Sequence, residues 1–192
     1  PLATVQRESY VWYQKGSLVF YALKDYMGEE QLNAALKKYV SRVKFQEPPY
    51  TNTTDFLNEI RAALPDDLKY LVHDLFETIT LFDNKAVEAS YRETGDKKYL
   101  VTIKVNARKL QADGLGNEKE VGLNDAIDIG VFAGDKLEGK PLFLEKRRIT
   151  QPEMKFEILV DQLPGKAGID PYNKLIDRSP DDNAVVVTRV GR

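Results

Sequence analysis

The fold is decided by the segment Tyr99-Leu100-Val101-Thr102-Ile103-Lys104-Val105, in which apolar and polar side chains alternate. A period of two and an enrichment in β-branched residues are typical of a half-buried β-strand. A looser alternation covers Val87–Arg92, and the turn formers of Thr94–Lys97 separate the two segments. The sequence therefore predicts a β-hairpin here.

Strand-like segments continue toward the end of the chain. They are expected at residues 126–133, 142–149, 155–160 and 184–190, with glycines in the connections, whereas residues 162–183 are expected to be irregular. Several short strands with such turns are typical of a β-sandwich. The segment Pro141–Thr150 carries charge on both faces, which favours an edge strand.

Upstream of about residue 83, apolar residues recur at helical spacing instead. One helix is expected from about Val11 to Met27 and a second from about Glu29 to Lys44, with Gly28 placed to end the first. Glycine is common there because it adopts the left-handed conformation without steric cost.

Two further helices are expected before the strands begin. Thr53 or Thr54 is expected to cap the third, and the fourth is expected to start at Asp66 or Asp67 and to include Ile79. We therefore predict an α+β chain: an N-terminal helical bundle over residues 1–83, then an antiparallel, immunoglobulin-like β-sandwich over residues 84–192.

Composition excludes several classes of function. The 192 residues carry 28 basic and 30 acidic side chains, a net charge of −2, so a general nucleic-acid binder with a basic surplus is not expected. Cysteine is absent and His73 is the single histidine, so disulfides, thiolate zinc sites and histidine-pair zinc sites are excluded. No apolar run approaches about 18 residues, the length needed to span a membrane as a helix.

The segment Ser9-Tyr10-Val11-Trp12-Tyr13-Gln14-Lys15-Gly16-Ser17-Leu18 is an aromatic cluster that enters the first helix. Glycine so early in a helix costs about 1 kcal/mol relative to alanine. This cost is offset only where another backbone or a ligand comes close to the glycine. Two interpretations stay open from the residues alone. The segment is either a helix start packed against a neighbour, or a tyrosine hydroxyl placed to donate a hydrogen bond to a developing oxyanion.

The pattern Tyr13-x-Lys15-Gly16, with the helix Ser17–Tyr26 after it and the segment Gly28–Phe45 beyond, resembles the Tyr-x-Lys-Gly segment of the aminopeptidase N (gluzincin) family of zinc aminopeptidases. In that family the tyrosine stabilises the tetrahedral intermediate of peptide hydrolysis. The resemblance implies the same role for Tyr13, with Lys15 and Gly16 as motif residues. The later stretch Gly168–Arg178 with residues 180–183 is similar to the tail of bacterial members, some of which are fused to transporter permease segments.

The family's zinc ligands, His-Glu-x-x-His and a later glutamate, precede the tyrosine motif. This sequence starts at Pro1 and His73 has no second histidine. We therefore expect the C-terminal part of a bacterial zinc metallopeptidase, which is inactive by itself and holds no cofactor, while zinc belongs to the parent protein. The partners expected for the parent are a peptide substrate and the upstream part of the catalytic domain, and no nucleic acid. Its permease segments would make the parent membrane-associated, whereas this chain is expected to be a soluble fragment.

An alternative from another class of function is a stand-alone, non-enzymatic protein- or peptide-binding module. The expected edge strand at Pro141–Thr150 could accept an extended peptide as an additional strand. A reading frame that continues upstream of Pro1 through His-Glu-x-x-His would favour the peptidase, and a start codon just before Pro1 would favour the module.

Overall fold

A computed structural model of the chain describes residues 1–190, so the last two residues of the expected β-domain lie outside the described residues. The chain divides into two compact units. The first comprises Pro1–Thr80 and Ala112–Leu115, and the second comprises Leu81–Gln111 and the chain from Gly116 onward. Helices and strands are both present, which confirms the expected mixed composition.

Helical segments make up most of the first unit. They are a π-helix Val11–Lys15, α1 Gly16–Met27, α2 Glu29–Val43, α3 Thr53–Ala63, α4 Tyr70–Val72, a second π-helix His73–Glu77, and two 3₁₀ turns, Leu2–Thr4 and Asp66–Leu68. The first two expected helices are confirmed, and Gly28 ends α1 with a φ of 84°. None of the helices in residues 1–190 is long and apolar enough to cross a bilayer.

The helix α3 is capped one residue earlier than expected. The Asn52 side chain accepts hydrogen bonds from the N–H groups of Thr54 and Asp55, at 2.8 Å and 3.2 Å. The Asp55 carboxylate accepts in return from the Asn52 N–H at 3.0 Å. This reciprocal pair is a capping box, and it makes Thr53 the first helical residue rather than the cap.

The expected fourth helix is wrong at its C-terminal end. It is broken into short segments that stop at Glu77, and Thr78 is extended, with φ −123° and ψ 168°. From Ile79 to Ala86 every second residue is buried, so the chain there is a strand. The apolar residues of this region fit either period, and the alternation of burial decides in favour of the strand.

One hydrophobic core joins the helices of the first unit. Its fully buried members are Val19, Ala22, Leu23, Met27, Leu32, Ala35, Leu57, Ile60, Leu64, Leu71, Val72, Leu75 and Phe76. The rings of Phe20, Phe56 and Phe76 pack against one another with centroids 6.2 Å apart. The two edge-to-face contacts, which Phe76 makes with Phe20 and Phe56, add to the stabilisation from burial.

Eight strands are present in the described part of the chain. They are β1 Ile79–Glu93, β2 Tyr99–Ala112, β3 Glu118–Val121, β4 Asp125–Phe132, β5 Phe143–Ile149, β6 Glu153–Val160, β7 Lys166–Ile169 and β8 Ala184–Arg189. The strands β3 and β7 were not expected, β7 because its segment contains many turn formers. The strand order is β3-β2-β1-β8-β7-β4-β5, and β6 pairs with β2.

The strand β8 joins the two halves of this order. It pairs in parallel with β1, where Ala89 faces Val187, and antiparallel with β7, where Ala167 faces Val185. The eight strands therefore form one continuous curled sheet, in which the β1–β8 pair departs from the all-antiparallel expectation. Because β8 pairs with both β1 and β7, the strand pairing alone does not divide the strands into the two separate sheets of an immunoglobulin-like sandwich. The strand β5 lies at one end of the order, as expected for an edge strand.

Candidate functional site

The expected site residues Tyr13, Lys15 and Gly16 lie on one widened helical turn at the start of α1. The turn Val11–Lys15 is a π-helix, and the Gly16 N–H donates to the Val11 carbonyl five residues earlier. The wider turn shifts the side chains of these residues relative to those of the helix that follows. Single π-turns inside helices occur frequently at functional sites.

The Tyr13 side chain points outward from this turn. It is 75% exposed, and its ring lies against that of Trp12 with centroids 5.7 Å apart. Tyr10 and Trp12 are also exposed, by 64% and 52%. In the described residues the Tyr13 hydroxyl has no hydrogen-bond partner, so it is available to donate to another molecule. Three exposed aromatic rings therefore lie within four residues of the sequence.

The Lys15 side chain points the other way. Its ammonium donates to the Thr78 carbonyl at 3.0 Å, across 63 residues of sequence. Loss of solvation on burial lowers the pKa of Lys15 below its ordinary value. One turn of the π-helix therefore presents a phenol outward and an anchored amine inward.

Gly16 needs no special backbone conformation, since its φ is −59° and its ψ is −44°. A Cβ atom added there would meet only Leu2 Cδ1, at 4.0 Å, which is an ordinary van der Waals contact. The expected close neighbour of this glycine is therefore not found among the described residues. A substituent at this position has room within the first unit.

The described residues do not fit a zinc site. No group of three or more histidine, aspartate or glutamate side chains in residues 1–190 is arranged to hold a metal ion. The Nδ1 atom of His73 lies 3.4 Å from Glu77, and that carboxylate is also bound by Arg61. One histidine and one carboxylate that is already paired fall short of the three protein ligands of a catalytic zinc ion.

A second polar cluster, which the sequence did not predict, is buried in the second unit. The carboxylate of Asp128 on β4 accepts hydrogen bonds from the ammonium groups of Lys174, at 2.7 Å, and Lys146, at 3.0 Å. Asp128 and Lys174 are almost fully buried. The signal was available, because Asp125 and Asp128 interrupt an otherwise apolar strand that is buried at every position.

The stretch Gly168–Arg178 wraps this cluster. Asp170 adopts a φ of 42°, and its carboxylate accepts from the N–H groups of Lys174 and Leu175, both at 3.0 Å. Burial raises the pKa of Asp170 to about 7, although these two N–H groups oppose the rise. The residues of this stretch are therefore arranged around a buried ion-pair network.

The strand β5 contains three consecutive basic residues, Lys146, Arg147 and Arg148, and one of them belongs to the same network. Lys146 pairs with Asp128, while the guanidinium of Arg148 donates to the Asn124 carbonyl at 3.1 Å. Arg147 pairs with Glu145 on the exposed side of the strand. The triplet is thus not a uniform basic patch for an acidic partner.

Comparison with protein-family models and with curated proteins gives no match to this chain.

Proposed function

We propose that this chain is the C-terminal part of a zinc aminopeptidase of the aminopeptidase N family, to which it contributes the transition-state tyrosine Tyr13. The observation that carries the proposal is the turn Val11–Lys15, which presents the Tyr13 hydroxyl to solvent and is held from the inside by Lys15. The residues Tyr13-x-Lys15-Gly16 and the two helices after them supply the link to the family.

In this proposal Tyr13 donates a hydrogen bond to the oxygen of the scissile carbonyl as negative charge develops on it. A donor that is already in place costs no reorganisation when the charge appears, and removing one such donor typically lowers kcat by about 10²–10³. The bond counts toward rate because it is stronger in the transition state than in the bound peptide.

The zinc of the proposed parent is assigned to residues outside the described chain, because the described residues do not fit a zinc site. The helical first unit would complete one wall of the catalytic domain, and the strands of the second unit would form an accessory β-sandwich domain. The chain by itself would hydrolyse no peptide. Permease-type membrane segments in the parent belong to the same proposal.

The test uses the complete polypeptide encoded by the reading frame that contains this chain. Aminoacyl p-nitroanilides serve as substrates, and zinc content is measured by elemental analysis. The proposal expects hydrolysis that a chelator abolishes and zinc restores, and no hydrolysis by the 192-residue chain. A complete polypeptide that neither binds zinc nor releases p-nitroaniline would overturn it, as would turnover by the 192-residue chain.

A second candidate is the stand-alone peptide-binding module, and the place of β5 at the end of the strand order favours it. An extended peptide would add to β5 as a further strand, through backbone hydrogen bonds. This candidate predicts amide chemical-shift changes confined to Phe143–Ile149 when an extended peptide library is added, and the same binding after Tyr13→Phe.

A further inference from the structure

The ammonium of Lys15 makes an unusual long-range contact for a motif lysine. It donates to the backbone carbonyl of Thr78 at 3.0 Å, although the two residues are 63 positions apart. The Thr78 carbonyl is its one hydrogen-bond partner in the described residues. The contact therefore ties the turn that carries Tyr13 to a distant part of the first unit.

Thr78 is a firm attachment point. It ends the second π-helix, and its N–H donates to the His73 carbonyl at 3.0 Å. Its hydroxyl also lies 3.0 Å from the His73 carbonyl and 2.7 Å from the Thr80 hydroxyl. Carbonyl groups at the end of a helix lack partners within the helix, and a lysine is a favourable donor for them.

Moving the Lys15 ammonium partly out of water costs solvation free energy. Lys15 is half-buried, and desolvation lowers the pKa of its ammonium. The carboxylate of Glu77, which precedes Thr78 in the sequence, pairs with Arg61 and His73. A partly buried cation without a carboxylate is less favourable than an apolar side chain of similar size. A lysine in such surroundings is typical of functional sites.

We propose that Lys15 is a positioning residue, which holds the turn Val11–Lys15 against Thr78 and thereby fixes the hydroxyl of Tyr13 in its catalytic place. The inference rests on the proposed function. Residues 13 and 15 project from nearly opposite sides of the turn, so anchoring one side restrains the other. A displacement of about 1 Å of a positioned group can cost about a hundredfold in rate.

The first test needs no catalytic activity, because Trp12 is the single tryptophan of the chain and contacts Tyr13. Time-resolved fluorescence anisotropy of Trp12 is compared in the wild-type chain, in Lys15→Met and in Lys37→Met, a matched exposed lysine. We expect the fast component of the decay to grow in Lys15→Met only. An unchanged decay in Lys15→Met would overturn the proposal. If that variant does not fold, Lys15→Ala, which also removes the donor, replaces it under the same criterion.

The second test measures the kinetics of the complete polypeptide. Lys15→Met is expected to lower kcat by about tenfold to a hundredfold with KM unchanged, and Lys15→Arg to restore most of the loss. A change confined to KM, or an unchanged kcat beside a mobile Trp12, would refute positioning. If the wild-type complete polypeptide is inactive, the proposed function fails, and with it any catalytic role of Lys15. The Trp12 anisotropy measurement still decides whether the contact of Lys15 with Thr78 restrains the turn. If Tyr13→Phe impairs a working enzyme and Lys15→Met does not, only the present inference fails.

Discussion

Replacing Asp128 by asparagine should destabilise the second unit more than any surface substitution. The change keeps the shape of the side chain but removes the negative charge that faces Lys174 at 2.7 Å and Lys146 at 3.0 Å. The Lys174 side chain is only 9% exposed, so its ammonium stays buried after the Asp128 charge is lost. Removing one partner of a buried ion pair costs roughly 3–5 kcal/mol.

The assay is urea-induced unfolding followed by circular dichroism in the strand region. Asp161→Asn is the matched control, because Asp161 is 80% exposed in its pair with Lys98 and should lose less than about 1 kcal/mol. Combining Asp128→Asn with Lys174→Met should recover part of the loss, since the buried cation is then gone as well. An Asp128→Asn variant as stable as the control would refute the view that this network supports the sheet.

Three further outcomes follow from single positions. Gly16→Ala should raise the free energy of unfolding by up to about 1 kcal/mol, because alanine favours a helix more than glycine does and its Cβ meets only Leu2 Cδ1, at 4.0 Å. A decrease of similar size in the free energy of unfolding, measured in urea, would contradict this. Gly168→Ala should prevent normal folding of the sheet, measured by circular dichroism, because its Cβ would overlap the Asn183 carbonyl oxygen; a native spectrum and stability would argue against this close approach of β7 to Asn183. Burial raises the pKa of Asp170 from 3.8 to about 7, so the folded state binds the proton more tightly than the unfolded state does. The stabilisation of the folded state by this proton is therefore complete below about pH 4, and it is lost as the pH rises through 7. The stability of wild type relative to Asp170→Asn should fall over that range by up to roughly 4 kcal/mol, and pH-independent stability differences would contradict it.

Local signals predicted the elements that local chemistry controls. Gly28 marked the end of α1, and the alternation from Tyr99 onward marked β2, because a positive φ and a period of two leave direct traces in the sequence. The boundary at Thr78 left no such trace. The apolar residues on both sides of it suit a helix as well as a strand, and tertiary burial decides between them.

Long-range features could not be derived from the sequence. The strand β7 lies in a segment rich in turn formers, and its pairing with β4 and β8 depends on residues distant in the chain. The contact of Lys15 with Thr78 has the same character, since no spacing rule links positions 63 apart. For the candidate site, the sequence therefore supplied the residues, and the structure supplied the direction in which each side chain points.

The central claim is that Tyr13 acts on a reacting carbonyl, and its most direct test is the kinetics of Tyr13→Phe in the complete polypeptide. Removal of the hydroxyl should lower kcat about a hundredfold or more on aminoacyl p-nitroanilides with zinc content unchanged. Tyr10→Phe, which removes a neighbouring exposed hydroxyl, should leave kcat as in wild type. Equal activity of Tyr13→Phe and wild type would contradict the account.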